Sequence, residues 1–155
     1  MDAAERNRLI DRYASGYAAI EAALDGISDA EWDAREAPGE WCPREIVHHL
    51  ADSEMTAAIR VRRLLVEDNA EIVGYDQEAF VRRLHSDRPV DGSLAAFRGA
   101  RESTTPLLRL LTDEDWLRAG THSESGRYTM ADWLLLYGNH AHDHADQIRR
   151  ARAAR

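Results

Sequence analysis

The sequence predicts an all-α fold, a four-helix bundle running up, down, down, up. Three observations carry the prediction. Four segments repeat apolar residues at helical spacing, and the stretch 67–92, which holds Gly74, Pro89 and Gly92, separates the second segment from the third. The two halves also echo each other: Ser28-Asp-Ala-Glu-Trp32 matches Thr112-Asp-Glu-Asp-Trp116, and Gly39-Glu-Trp-Cys-Pro-Arg-Glu45 matches Gly126-Arg-Tyr-Thr-Met-Ala-Asp132. Each half therefore reads as a helical hairpin, and a link as long as 67–92 can return along the bundle and start the third helix parallel to the second. At 155 residues and 44% hydrophobic content, the span 1–155 is expected to build a single domain around one core.

The first helix runs from Glu5 to Leu24 on Leu9, Tyr13, Tyr17, Ile20 and Leu24, and Asp25-Gly26 ends it. Ser28 with Glu31 forms a capping-box pattern that predicts a short helical turn around Trp32. The second helix starts at Pro43, where a missing N–H costs nothing, and reaches about Val66 with Ile46, Leu50, Ile59 and Leu64 as its buried face. Cys42 falls at its N-cap, a position where a thiol can be reactive but is more commonly structural. Within the crossover only Gln77 to Leu84 reads as helical, capped by Asp76. The third helix spans Ser93 to Leu111 on Leu94, Phe97, Thr104, Leu108 and Leu111, with Pro106 predicting a kink or a late start. After Trp116 a polar loop runs to Arg127, and Thr129 with Asp132 caps the fourth helix.

Composition narrows the function. A net charge of −8 argues against nucleic acid as a partner, and the Arg60, Arg62, Arg63 cluster and the Arg149 to Arg155 tail read as solvated helix ends. All 20 basic residues are arginine, which excludes a lysine Schiff base. No apolar run approaches the roughly 18 residues a membrane helix needs, the N-terminus has no apolar leader core, and one cysteine suits a reducing compartment. No membrane partner and a cytoplasmic location are the expectations.

Chemistry concentrates in Tyr137-Gly-Asn-His-Ala-His-Asp-His-Ala-Asp-Gln-Ile148. Residues four apart share a helix face, so His140 and His144 stack one turn apart, in line with Met130, Trp133, Tyr137 and Ile148. His142 points away. A third ligand from another helix would complete a three-imidazole site with a position open to water or substrate, and His49 is the best donor. If the second and fourth helices are antiparallel, His49 lies roughly 9 Å from the start of one and His144 roughly 10 Å from the end of the other, at one level. Zinc is the default ion; nickel, iron and manganese also accept imidazole. Asp143 and Asp52, with Ser53, lie close enough along their helices to be proton shuttles or imidazole partners. Glu45-Ile-Val-His48 has half of a di-iron pattern but lacks its second half, and His140-Ala-His-Asp-His144 lacks the zincin glutamate.

Gly39 to Glu54, Ile72-Val-Gly-Tyr-Asp-Gln-Glu-Ala-Phe80 and the Tyr137 to Ile148 stretch together resemble the DinB superfamily, closest to its YfiT-like branch of metal-dependent hydrolases. The resemblance covers nearly the whole chain and implies an up-down-down-up bundle holding a divalent metal on His49, His140 and His144. The branch usually has histidine where this chain has Asp143, and Ser or Thr where it has Cys42. Some relatives resemble S-transferases that use a low-molecular-weight thiol, so the expected function is metal activation of such a thiol or of water against a small-molecule substrate. The alternative is a non-catalytic metal-binding or stress-response bundle. A homodimer is the expected assembly.

Overall fold

The computed structural model describes residues 1–154. In chain order its helices are α1 (Ala3–Leu24), α2 (Pro43–Val66), α3 (Gln77–Arg83), α4 (Asp91–Leu110) and α5 (Met130–Ala153). Helices α1, α2, α4 and α5 make a four-helix bundle and correspond to the four read from periodicity; α3 is the patch in the crossover.

Their directions follow from which ends meet. Arg12 donates to Asn139 while Arg152 reaches the carbonyl of Ala23, so α1 and α5 are parallel. His48 meets Ser93 and, farther along both helices, Arg62 meets Thr104, so α2 and α4 are parallel. Trp133, at the start of α5, donates to the carbonyl of Ala57, whereas His140 meets His49 nearer the start of α2; these two are antiparallel. The result is the up-down-down-up order, with α2 and α5 adjacent.

Capping fixes the helix starts. Asp2 accepts from Glu5 N–H at 2.8 Å, and Asp76 accepts from Ala79 N–H at 2.8 Å. Thr129 and Asp132 form a reciprocal box, and Cys42 N–H donates to Glu45 at 2.9 Å. Cys42 is buried, and burial raises its thiol pKa, so it is a structural cap rather than a thiolate.

Four details differ from the sequence reading. The segment around Trp32 is a hydrogen-bonded turn rather than a helix, with Glu31 and Trp32 N–H both donating to the carbonyl of Ser28. Pro106 does not delay or break α4, which runs through it to Leu110. Ile59 is 59% exposed; the buried stripe of α2 passes through Ile46, Leu50, Ala57, Val61 and Leu64 instead. Finally, a 3-10 turn (Asp115–Leu117) leads into the stretch read as a polar loop, and that stretch folds as a hairpin on a three-stranded sheet: β1 (Glu71–Ile72), in the crossover, pairs parallel with β2 (Ala119–His122), which pairs antiparallel with β3 (Gly126–Thr129) to make the hairpin. Gly126 takes φ +78° at the end of the hairpin loop, a conformation that favours glycine. Gly120 lets β2 lie against the crossover, because a Cβ there would stand 2.2 Å from the carbonyl oxygen of Ala70.

The core has two apolar clusters. One gathers Leu9, Leu64, Ile72, Leu108 and Trp133; the other Ile20, Ile46, Leu50, Phe97 and Ile148. Between them lies an ion pair. Arg101 donates from Nε to Glu54 at 2.8 Å and from its two terminal nitrogens to the carbonyls of Tyr13 and Tyr137, while Tyr13 donates to the other oxygen of Glu54 at 2.5 Å. Both side chains are almost wholly buried, and every hydrogen bond made here offsets the large cost of removing the charges from water.

Candidate metal centre

The antiparallel α2 and α5 bring His49, His140 and His144 together. Nε2 of His140 lies 3.2 Å from Nε2 of His49 and 3.2 Å from Nε2 of His144. The three ligand atoms all fall within 4.8 Å of one another. One proton on His140 can serve only one of those two contacts. A shared cation serves both, and two imidazole nitrogens on a tetrahedral zinc stand about 3.3 Å apart for metal–nitrogen bonds near 2.05 Å.

The protonation states also suit ligation. Burial, and then the neighbouring His144, hold the His49 pKa down to about 3, and burial first among several causes lowers those of His140 and His144. All three imidazoles are therefore neutral at neutral pH, the form a metal binds. Nδ1 of His144 donates to the Gln147 side-chain oxygen at 2.8 Å, which leaves the Nε2 lone pair directed at the other two rings. Nδ1 of His140 is buried and has no hydrogen-bond partner. Trp41, just before α2, lies against His49 with ring centroids 4.7 Å apart and stacks on His144 at 6.2 Å, shielding one side of the triad.

The triad opens onto a cavity of about 480 Å³. Its other wall is built by Ser53 and Arg60 of α2, Tyr137 of α5, the segment after β1 with Gly74, Tyr75 and Gln77, and the hairpin residues His122 and Glu124. The small sheet thus places half of the cavity. Arg60 corrects the solvated-cluster reading: its side chain is buried, donating to the Tyr137 hydroxyl at 3.0 Å and to the Val73 carbonyl at 2.7 Å. Arg62 reaches Ser103 and Thr104 on α4, and Arg150 pairs with Glu36 at 2.9 Å; Arg155 lies outside the described residues.

The two aspartates singled out from the sequence do not line this cavity. Asp52 is half-buried on the flank of α2 that faces Arg88, where burial raises its pKa and Arg88 lowers it. Asp143 is exposed, and it acts on the site only through its charge, which favours protonation of His144. His142 turns away from the triad, with Nε2 2.9 Å from the carbonyl of Arg12. Ser53 does face the cavity, beside the hydroxyls of Tyr75 and Tyr137. Trp41, Arg60 and His122 carried no signal in periodicity, because each contributes through a fold contact rather than through spacing along its own helix.

Residues 12–148 match the family model of the DinB superfamily. YfiT of Bacillus subtilis (strain 168) is 34% identical over 134 residues, covering 84% of this chain and 75% of that protein. A protein of Oceanobacillus iheyensis is 30% identical over 122 residues, covering 79% and 71%. Both bear the name "putative metal-dependent hydrolase". A solved structure of YfiT from Bacillus subtilis, described as having an unusual four-helix bundle topology, superposes with a TM-score of 0.89 at 31% identity over 96% of this chain and 86% of that one. On this match over most of its length, the chain belongs to the DinB superfamily.

Proposed function

We propose that the protein is a metal-dependent enzyme acting on a small molecule, with a divalent ion on His49, His140 and His144. The observation that carries the reading is the convergence of three neutral imidazole nitrogens, two of their contacts at 3.2 Å, on the wall of a cavity large enough for a small organic substrate. The names of the relatives support it. Zinc is the default ion for such a donor set, and nickel, iron and manganese accept the same donors.

Three neutral ligands leave the ion's charge uncompensated, and the chemistry it supplies is Lewis acidity that makes a water or a low-molecular-weight thiol nucleophilic near neutral pH. The protein's own groups do the rest. Gln147 fixes the tautomer and ring plane of His144. Trp41 keeps solvent from one side of the triad, so ligands enter from the cavity. Tyr75 and Tyr137 stay protonated, since burial raises both, and offer hydroxyls along the path to the triad.

The test begins with elemental analysis of purified protein. About one equivalent of metal per chain is expected, with His49→Ala, His140→Ala and His144→Ala each lowering it. Metal retained at the wild-type level by all three variants would overturn the triad. Turnover is then measured on simple esters, and on a model electrophile with a cellular thiol, before and after chelation. Metal-dependent ester cleavage selects hydrolysis, metal-dependent thiol consumption selects S-transfer, and bound metal without either selects the non-catalytic bundle.

A further inference from the structure

Two arginines among the described residues are buried, and the protein treats them differently. Arg101 is paired with Glu54 at 2.8 Å and spends its N–H groups on that carboxylate and two carbonyls. Arg60, 9% exposed, forms no ion pair among the described residues. Its two hydrogen bonds go to uncharged oxygens, the Tyr137 hydroxyl and the Val73 carbonyl, and its Nε has no partner. A buried guanidinium without a counter-charge is costly, and proteins ordinarily pair such a group.

The surroundings supply hydroxyls instead of charge. Tyr75, Tyr128 and Tyr137 all lie within electrostatic reach of Arg60 and are all held neutral by burial. The Tyr128 hydroxyl, like the Arg60 Nε, is buried without a hydrogen-bond partner. Glu124 is on the same cavity wall but is exposed, and its carboxylate is not within ion-pair distance of Arg60. Arg60 and Tyr137 face the cavity that His49, His140 and His144 face, and Tyr137 stands between, its ring centroid 5.9 Å from that of His140.

We propose that Arg60, with Tyr137 and Tyr75, is a carboxylate-binding subsite, so that the natural ligand is a small organic anion whose charged end docks on Arg60 while its other end reaches the triad. A planar guanidinium presents paired N–H donors that match the two oxygens of a carboxylate, and neutral phenols add donors without repelling it. The anion supplies the counter-charge that the chain withholds. This names the substrate class of the proposed metal-dependent enzyme and rests on that reading only for the role of the far end of the ligand.

The test uses chelator-treated protein, so that a carboxylate cannot bind through the metal. Succinate and its uncharged diamide are titrated by calorimetry. Succinate is expected to bind at least tenfold more tightly than the diamide and to raise the unfolding temperature. Arg60→Gln is expected to abolish that preference, and Arg60→Lys, which keeps the charge but not the planar fork, to retain only part of it. Equal binding of the two probes by the wild type overturns the subsite even if Arg60→Gln does not fold, as does an unchanged preference in a folded Arg60→Gln. Metal content separates this inference from the proposed metal centre. Arg60→Gln is expected to retain wild-type metal, whereas a wild type that prefers succinate but holds no metal would sink the metal centre and leave the subsite standing.

Discussion

Acidifying the metal-free protein should destabilise it well before its surface carboxylates titrate, and His49 sets the scale. Its pKa stands at about 3 in the fold against an ordinary value of 6.5, because burial disfavours the charged ring and His144 repels it. Between those two values the unfolded chain carries a proton that the folded chain refuses. Stability therefore falls as pH drops below 6.5 and stops falling, for this group, near 3. The slope for one proton is about 1.4 kcal/mol per pH unit, so His49 alone removes about 2 kcal/mol by about pH 5. His140 and His144 are shifted in the same direction and add to the loss. Against a typical domain stability of about 5–15 kcal/mol, that is a large share.

Carboxylates with lowered pKa values, such as Glu45 and Asp132, lose their contribution only as pH falls below their ordinary values of 4.5 and 3.8, so an interval that stops at about pH 5 leaves them out. Glu54 and Asp52 are shifted upward and act in the opposite sense, so the comparison that isolates His49 is wild type against His49→Gln. Urea unfolding of chelator-treated protein, followed by circular dichroism at about pH 7.5 and about pH 5, measures it. The variant should lose about 2 kcal/mol less than the wild type across that interval. An identical loss in both proteins would show that His49 is not held neutral by its surroundings.

Three other perturbations bear on the same architecture. Gln147→Leu removes the acceptor on Nδ1 of His144 and should weaken metal binding roughly 10–100-fold in a competition titration against a fluorescent chelator; an unchanged affinity would mean that Gln147 does not set the tautomer. Gly16→Ala places a Cβ 2.1 Å from Nη1 of Arg101 and 2.8 Å from the Ala141 Cβ, and should cost about 1–3 kcal/mol by denaturant unfolding, an unaltered midpoint counting against a tight α1–α5 contact. Glu54→Gln strands the Arg101 charge in the core and should cost about 3–5 kcal/mol, whereas Glu54→Gln combined with Arg101→Met should recover part of that loss; a double variant worse than the sum of the singles would contradict the pairing.

What the sequence disclosed is what regular helices encode. The i, i+4 spacing of His140 and His144 fixes their common face wherever the helix lies, and the length of the crossover decides the direction of α2 relative to α5, hence the level of His49. The caps at Asp76 and Thr129 and the start of α2 at Pro43 were readable because such signals are local. The sheet was not, since strands of two and four residues are too short for an alternating pattern, and β1 finds its partner fifty positions away. Arg60 was misassigned for a related reason. Beside Arg62 and Arg63 it looks like a solvated run, yet the two-residue step from Arg60 to Arg62, about half a turn of α2, separates a residue facing Val73 and Tyr137 from one that reaches α4. Asp52 and Asp143 illustrate the converse: nearness in sequence to a ligand did not place either on the cavity.

The division between legible and illegible parts coincides with a division of labour in the cavity. The imidazoles project from two long helices whose packing is fixed by the core, so their mutual geometry depends on buried residues such as Ala57 and Trp133 that do not line the cavity. The facing wall hangs on the crossover and the hairpin, joined through the carbonyls of Ala70 and Ile72 and the close approach at Gly120. Loops and short strands tolerate change more readily than a packed helix pair. Substitutions at Tyr75, Gln77, His122 or Glu124 should therefore reshape the cavity wall without moving the triad, whereas Arg60 and Tyr137 sit on the long helices and belong to both halves. On the metal centre and subsite proposed above, a fold arranged this way would keep one metal chemistry while exchanging substrates, with the charged end of the ligand read from the helices and its remaining shape read from the loops.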